Sequence, residues 1–212
     1  MLRITEIYKS IQGEARYAGL PCTFIRLTGC PLRCRWCDTA YGFEGGEDYN
    51  LQHILDKVEE LGVHHVELTG GEPLAQAAAL PLMEALIKHG YQVMIETGGS
   101  YPIKHIPAAV HVILDAKCPG SGMQEKNLTA NYAFLKPTDE VKFVIASRKD
   151  FDWAETYIRE HHLETKCHLL VSPAWGLVKP AELTEWTLAS ELPLKLNLQL
   201  HKYIWNPRAK GV

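Results

Sequence analysis

Cys30, Cys34 and Cys37 stand in one short segment, GCPLRCRWCDT, with the spacing C-x3-C-x2-C. Three thiolates this close suit three corners of a cubane iron–sulfur cluster, and the segment supplies no fourth. A closed electron-transfer cluster takes four protein thiolates. Three leave one iron open to a ligand that is not protein, as a catalytic metal site keeps a coordination position open. A structural zinc site would want four ligands, usually as two separated knuckles, and no second C-x2-C occurs. A redox pair would use C-x-x-C alone and leave Cys30 without a task.

A second pattern lies downstream. Gly70-Gly71-Glu72-Pro73 follows the β-like run VELT (66–69), and glycines let a backbone approach a ligand closely. Further polar or small residues close later apolar runs: Glu96-Thr97-Gly98-Gly99, Asp115-Ala116-Lys117, Ser172-Pro173 and Gln199-Leu200-His201-Lys202. Arg26 interrupts the apolar run CTFIRLT (22–28), and a charge facing an interior needs a partner.

The elements that must position these residues alternate. Strands are expected at 22–28, 66–69, 91–97, 110–115, 140–145, 167–172 and 194–200. Helices are expected over 51–61, with Asn50 as N-cap and Gly62 past the end, over 80–89 closed by Gly90, and near 127–135, 148–162 and 180–190. Alternating strands and helices predict a parallel sheet with right-handed crossovers. A full eightfold barrel typically needs about 250 residues, so an incomplete (β/α) barrel is expected, with an open doubly wound sheet as the alternative. In either architecture the C-terminal rim of the strands is where chemistry is placed. No linker or repeat divides the chain, which reads as one domain over 1–212.

Composition narrows the class. A net charge of −3 over 212 residues gives no electrostatic footprint for nucleic acid or an anionic membrane. No apolar run approaches the roughly twenty residues of a membrane span, and charges interrupt the N-terminal segment too often for a signal-peptide core. Six cysteines are too sparse for a disulfide scaffold. Cys22, Cys118 and Cys167 read as buried small hydrophobes, and a cytoplasmic location is expected.

The cysteine spacing after the first barrel strand, followed by GGEP after the next, resembles the radical S-adenosylmethionine (SAM) superfamily. The segment SIQGEARYAGLPCTFIRLTGCPLRCRWCDT, with DAKCPGSG at 115–122 and QLHK at 199–202, closely resembles the 7-carboxy-7-deazaguanine synthase family within it. That likeness implies a partial barrel of the radical SAM type, a 4Fe-4S cluster on Cys30, Cys34 and Cys37, and SAM on the open iron. Reductive cleavage in that family yields a 5′-deoxyadenosyl radical, the cofactor carrying the hard chemistry. The implied reaction is a carbon–nitrogen lyase step of queuosine-type 7-deazapurine biosynthesis. It converts 6-carboxy-5,6,7,8-tetrahydropterin to 7-carboxy-7-deazaguanine with loss of ammonia, regenerating SAM.

The resemblance also implies residue roles. Trp36, Gly71, Asp115, Ala116, Lys117, Ser172, Pro173, Ala174 and Trp175 would contact SAM. Ile11, Gln12, Gly13 and Glu14 would meet the pterin edge, Arg26 the substrate carboxylate, and Thr69 the substrate beside SAM. Thr39 would bind Mg2+, which accepts few protein ligands. Ala15 stands where the family has glycine. A flavodoxin or ferredoxin as electron donor and a homodimer are the implied partners.

Two other functions would use the same cysteines. A glycyl-radical-enzyme activating protein would share the radical chemistry but is disfavoured by the Ile11–Glu14 segment ahead of the cluster strand. A non-enzymatic iron–sulfur or zinc protein would use the cysteines alone.

Overall fold

Seven strands run parallel in one sheet: β2 (Pro21–Leu27), β4 (His65–Gly70), β5 (Gln92–Thr97), β6 (His111–Asp115), β7 (Glu140–Ile145), β8 (His168–Pro173) and β9 (Leu194–Leu196). In this computed structural model, which describes residues 1–212, two further strands extend the sheet beyond β2. β1 (Leu2–Ile11) pairs antiparallel with β2, and β3 (Glu47–Tyr49) pairs antiparallel with β1. The order is β3-β1-β2-β4-β5-β6-β7-β8-β9, and β3 and β9 are unpaired at their outer sides. The expected parallel sheet is present and incomplete.

Alternation along each strand sorts side chains between two faces. On β2, β4 and β7, Ile25, Leu27, Val66, Leu68, Val141, Phe143 and Ile145 join the main apolar core. Phe24, Arg26, Glu67, Thr69, Lys142 and Val144 face the concave side. The helices α1 (Leu51–Leu61), α2 (Ala79–Lys88), α3 (Arg148–His161) and α4 (Pro180–Ala189) cover the outer face. Ile54, Val58, Leu82, Leu86, Phe151, Ile158 and Leu183 are fully buried there, each stabilising the fold by about 1.5–3 kcal/mol. Asn50 Oδ1 accepts from His53 N at 2.8 Å, and Gly62 adopts φ 65°, so both expected ends of α1 form.

Three expectations change. The N-terminal strand β1 had no counterpart in the apolar runs. Residues 127–135 form only a 3-10 turn over Thr129–Ala133, because the Asn131 side chain bonds Gly99 O and Tyr101 O across the rim. The last strand stops at Leu196, and the chain then turns into α5 (His201–Ile204).

The 12–16 loop ties the two sides of the open sheet together. Leu200 N donates to Gly13 O at 2.9 Å and Ala15 N to Asn197 Oδ1 at 2.7 Å. Arg16 N donates to Glu140 Oε2 at 3.0 Å and Lys195 Nζ to Ala15 O at 3.1 Å.

Candidate active site

The cysteine loop leaves β2 at the C-terminal rim and is held by the loop after β4. Gly71 N donates to Leu27 O at 3.0 Å and Glu72 N to Gly29 O at 2.8 Å. A Cβ on Gly71 would collide with Gly29 O and the Cys30 side chain, so only glycine permits this contact. Glu72 of the GGEP segment is fully buried and does not line the cavity. Its carboxylate accepts from Leu74 N at 3.0 Å, Gly98 N at 2.7 Å and Thr97 Oγ1 at 2.8 Å. The GGEP segment is therefore a brace between three rim loops.

These loops surround a cavity of about 970 Å3 on the concave side of the sheet. Cys30, Cys34 and Cys37 are free, half-buried and on its wall. Burial raises the thiols of Cys30 and Cys34. The three do not by themselves converge as a ligand triangle. As a donor set, three thiols beside a close glycine backbone suit a cubane cluster with one free corner.

On the same side, Lys117 Nζ lies 2.8 Å from Asp115 Oδ2. Burial disfavours that ammonium, but Asp115 and the nearby Cys34 outweigh it and hold its pKa above the ordinary value. Asp115 Oδ1 is buried without a hydrogen-bond partner. An orphaned carboxylate oxygen on a cavity wall fits a hydroxyl- or ammonium-bearing ligand, the polar groups that SAM presents.

Thr39 occupies the N-cap of a 3-10 turn, Ala40–Gly42, but its side chain makes no capping bond. Its Oγ1 lies 3.7 Å from Cys37 Sγ and lines the cavity. Arg26 has the partners its position demanded: Nε donates to Glu6 Oε1 at 2.7 Å and Nη2 to Tyr8 OH at 3.0 Å. Its guanidinium lines the same cavity.

An ionic network forms the deep wall. Lys142 Nζ pairs with Glu14 Oε2 at 2.9 Å and also with Glu96. Burial disfavours the Lys142 ammonium, yet Glu14 and Glu96 hold its pKa well above the usual lysine value. Glu67 accepts from Gln12 Nε2, and burial together with the Glu96 and Glu14 charges keeps its carboxyl well above the usual range. Gln12 Oε1 accepts from Glu14 N at 3.1 Å, and Gln199 Nε2 donates to Glu14 Oε1 at 2.8 Å. His201 packs so closely on Gly13 that a Cβ there would strike its Nδ1.

Sixteen of the residues singled out from sequence reach this one cavity: the three cysteines, Thr39, Trp36, Gly71, Asp115, Lys117, Ala174, Trp175, Ile11, Gln12, Gly13, Glu14, Arg26 and Thr69. Ala116, Ser172 and Pro173 do not line it. Ala116 is buried with its N–H bonded to Lys142 O at 2.8 Å, and Ser172 Oγ accepts from Asn197 Nδ2 at 2.8 Å. Lys142, Glu67, His201 and Lys202 line the cavity without having been singled out as site residues. Glu67 and Lys142 interrupt apolar strands as Arg26 does, and that signal was available.

A profile of the Radical SAM superfamily matches residues 24–118. The 7-carboxy-7-deazaguanine synthase of Koribacter versatilis (strain Ellin345) is 44% identical over 226 aligned residues, covering 100% of both chains. The enzyme of that name from Chlorobaculum tepidum is 44% identical, covering 100% of this chain and 97% of its own. Among solved structures, QueE from Escherichia coli superposes with a TM-score of 0.77 at 24% identity, covering 94% of each chain, a likeness of fold.

Proposed function

This chain belongs to the 7-carboxy-7-deazaguanine synthase family, and we propose on that premise that opposite walls of its cavity divide one radical SAM reaction between them. The reaction turns 6-carboxy-5,6,7,8-tetrahydropterin into 7-carboxy-7-deazaguanine with loss of ammonia. When bound, a 4Fe-4S cluster with SAM supplies the deoxyadenosyl radical that starts it. Every other task falls to the chain.

Cys30, Cys34 and Cys37 would hold three irons. Asp115 Oδ1, free of protein partners, would accept from SAM, with Lys117 fixing the other carboxylate oxygen. The Gly71 backbone would approach the SAM amino group, and Trp36, Ala174 and Trp175 would flank its apolar parts. Ala116 N, bonded to Lys142 O, and Ser172 Oγ, bonded to Asn197 Nδ2, would brace this side of the site.

On the other wall Arg26 would pair with the substrate carboxylate, a planar match of fork to carboxylate. Glu6 and Tyr8 already fix its plane. Glu14, oriented by Lys142 and Gln199, would accept from the N–H donors of the pterin edge, beside Ile11, Gln12, Gly13 and Thr69. Thr39, whose hydroxyl is released from capping, would give Mg2+ one oxygen, the substrate carboxylate giving another.

The observation that carries this function is that the cysteine loop, Thr39, Arg26 and Glu14 all open on a single cavity. The proposal extends to one domain over 1–212, a flavodoxin or ferredoxin as electron donor, a homodimer and a cytoplasmic location. Unpaired edges at β3 and β9 support a covering partner. Six free cysteines support a reducing compartment, and no helix is long and apolar enough to cross a membrane. The test is anaerobic reconstitution, reduction, and incubation with SAM, Mg2+ and carboxytetrahydropterin. The deazaguanine product is expected; its absence from fully loaded enzyme would sink the assignment.

A further inference from the structure

Asp38, the residue after the third cysteine, lies 2.5 Å through Oδ2 from Lys202 Nζ on α5, 164 positions away. The Lys202 side chain is only 5% exposed although it carries a charge. Its ammonium also stands 5.8 Å from the Trp175 ring centroid, and Tyr203 packs edge-on against that ring at 5.2 Å. The neighbouring His201 is pressed against Gly13, and Leu200 N bonds Gly13 O at 2.9 Å. One short helix thus touches the cysteine loop, the loop after β8 and the loop after β1. A lysine buried to this degree is costly unless paired, and a charge-assisted bond is among the stronger polar contacts.

We propose that Asp38 and Lys202 are positioning residues, a clasp that holds the cysteine loop and the Gly13–His201 wall in one register. Lys202 lines the cavity but gives its ammonium to Asp38, and so acts through Asp38 on one side and the adjacent His201 on the other. What the two walls bind rests on the proposed function, whereas the clasp itself rests on the contacts above.

The test is a double-mutant cycle of Asp38→Asn, Lys202→Met and both, in reconstituted enzyme. Amide hydrogen exchange over 38–43 and 199–205 is read without SAM or substrate, and steady-state kinetics are read with them. Each single change is expected to speed exchange in both segments by about 10- to 100-fold, the range for a lost bond to a charged group. The double change should add little more, as coupled neighbours do. KM for the pterin should rise more than kcat falls, iron content should stay at the wild-type level, and Lys202→Arg should restore most of the protection.

Unchanged exchange over 38–43 in Lys202→Met, or fully additive effects, would overturn the clasp. Loss of iron in Lys202→Met would also count against it, because the pair would then be holding the cluster rather than the register. Should Lys202→Met fail to fold, the half-exposed Asp38→Asn gives the same readings alone. Exchange needs no turnover, so a wild-type enzyme that forms no product would overturn the function and leave the clasp standing.

Discussion

Lys142 Nζ reaches Glu14 Oε2 at 2.9 Å across 128 positions of sequence, joining β7 to the loop that bridges the open side of the sheet. The same ammonium pairs with Glu96 on β5. One buried cation therefore stabilises the anionic wall that is proposed to read the pterin edge. Removing it leaves charges buried without a partner. Lys142→Met is expected to lower stability by about 3–5 kcal/mol, the cost of breaking a buried pair from one side. Urea denaturation measures it, and a loss within the surface range, below about 0.5 kcal/mol, would show that Lys142 does not hold this wall.

Glu67 gives that wall a pH dependence. Burial and the charges of Glu96 and Glu14 raise its pKa, so the folded chain holds its proton more tightly than the unfolded chain does. Its contribution is fully present below the unfolded value, about 4.3. It is lost as pH rises through the folded value. Glu67→Gln mimics the protonated form and escapes that loss. Its stability relative to wild type is expected to increase from pH 4 to pH 8, read as urea midpoints. A difference that does not change with pH would mean an ordinary carboxyl.

Glu72 separates a bracing role from a ligand-binding one. Its carboxylate satisfies Leu74 N, Gly98 N and Thr97 Oγ1 out of contact with water. Glu72→Ala is expected to cost about 1–3 kcal/mol for each buried donor left unpaired. SAM affinity should fall no more than global unfolding explains. A stable variant with much weakened SAM binding would return Glu72 to the ligand.

Ala15 is buried at φ 62° against Ile113 and Leu170, where its relatives are expected to carry glycine. A left-handed alanine costs about 1–2 kcal/mol, against about 0.8 kcal/mol for a buried methyl and the extra backbone entropy of glycine. Ala15→Gly should therefore change stability by less than about 1 kcal/mol. Ala15→Val, bulkier at the same φ, should be strongly destabilising. Thermal unfolding of the pair checks both signs.

Much of this fold was legible because each parallel strand is a short apolar run followed by a rim signal. β1 was not, because LRITEIYKSI buries only Leu2 and Ile4, while Arg3 and Lys9 face out and Glu6 turns inward to Arg26. β3 has three residues and no apolar pattern at all. Within the site, Arg26 stood out as a charge in an apolar strand, and Glu67 and Lys142 carried the same mark unread. The Asp38–Lys202 pair left no local trace, since its halves stand 164 positions apart in the sequence. Ala116 and Ser172 stay off the cavity for different reasons: the pleat turns Ala116 into the outer core, whereas Ser172 is in register with the cavity-lining Val144 but gives its hydroxyl to Asn197.

Thr39 carries the proposed magnesium contact. Its hydroxyl makes no capping bond in the turn it begins. Thr39→Ala should keep the full cluster and the SAM-dependent change in its EPR spectrum. The Mg2+ concentration for half-maximal turnover should rise by about tenfold, the equivalent of about 1.4 kcal/mol. An unchanged magnesium response would remove Thr39 from the metal site.

Three thiols on one wall of the cavity would hold the cluster whose bound SAM supplies the radical, and the other wall would hold the pterin. The most direct measurement is mass-spectrometric detection of 7-carboxy-7-deazaguanine from reduced enzyme with SAM, Mg2+ and carboxytetrahydropterin, run beside Cys34→Ala. Product from the wild type, with neither cluster nor product in Cys34→Ala, is the result expected. Cys34→Ala that retains both its iron and its activity would contradict it.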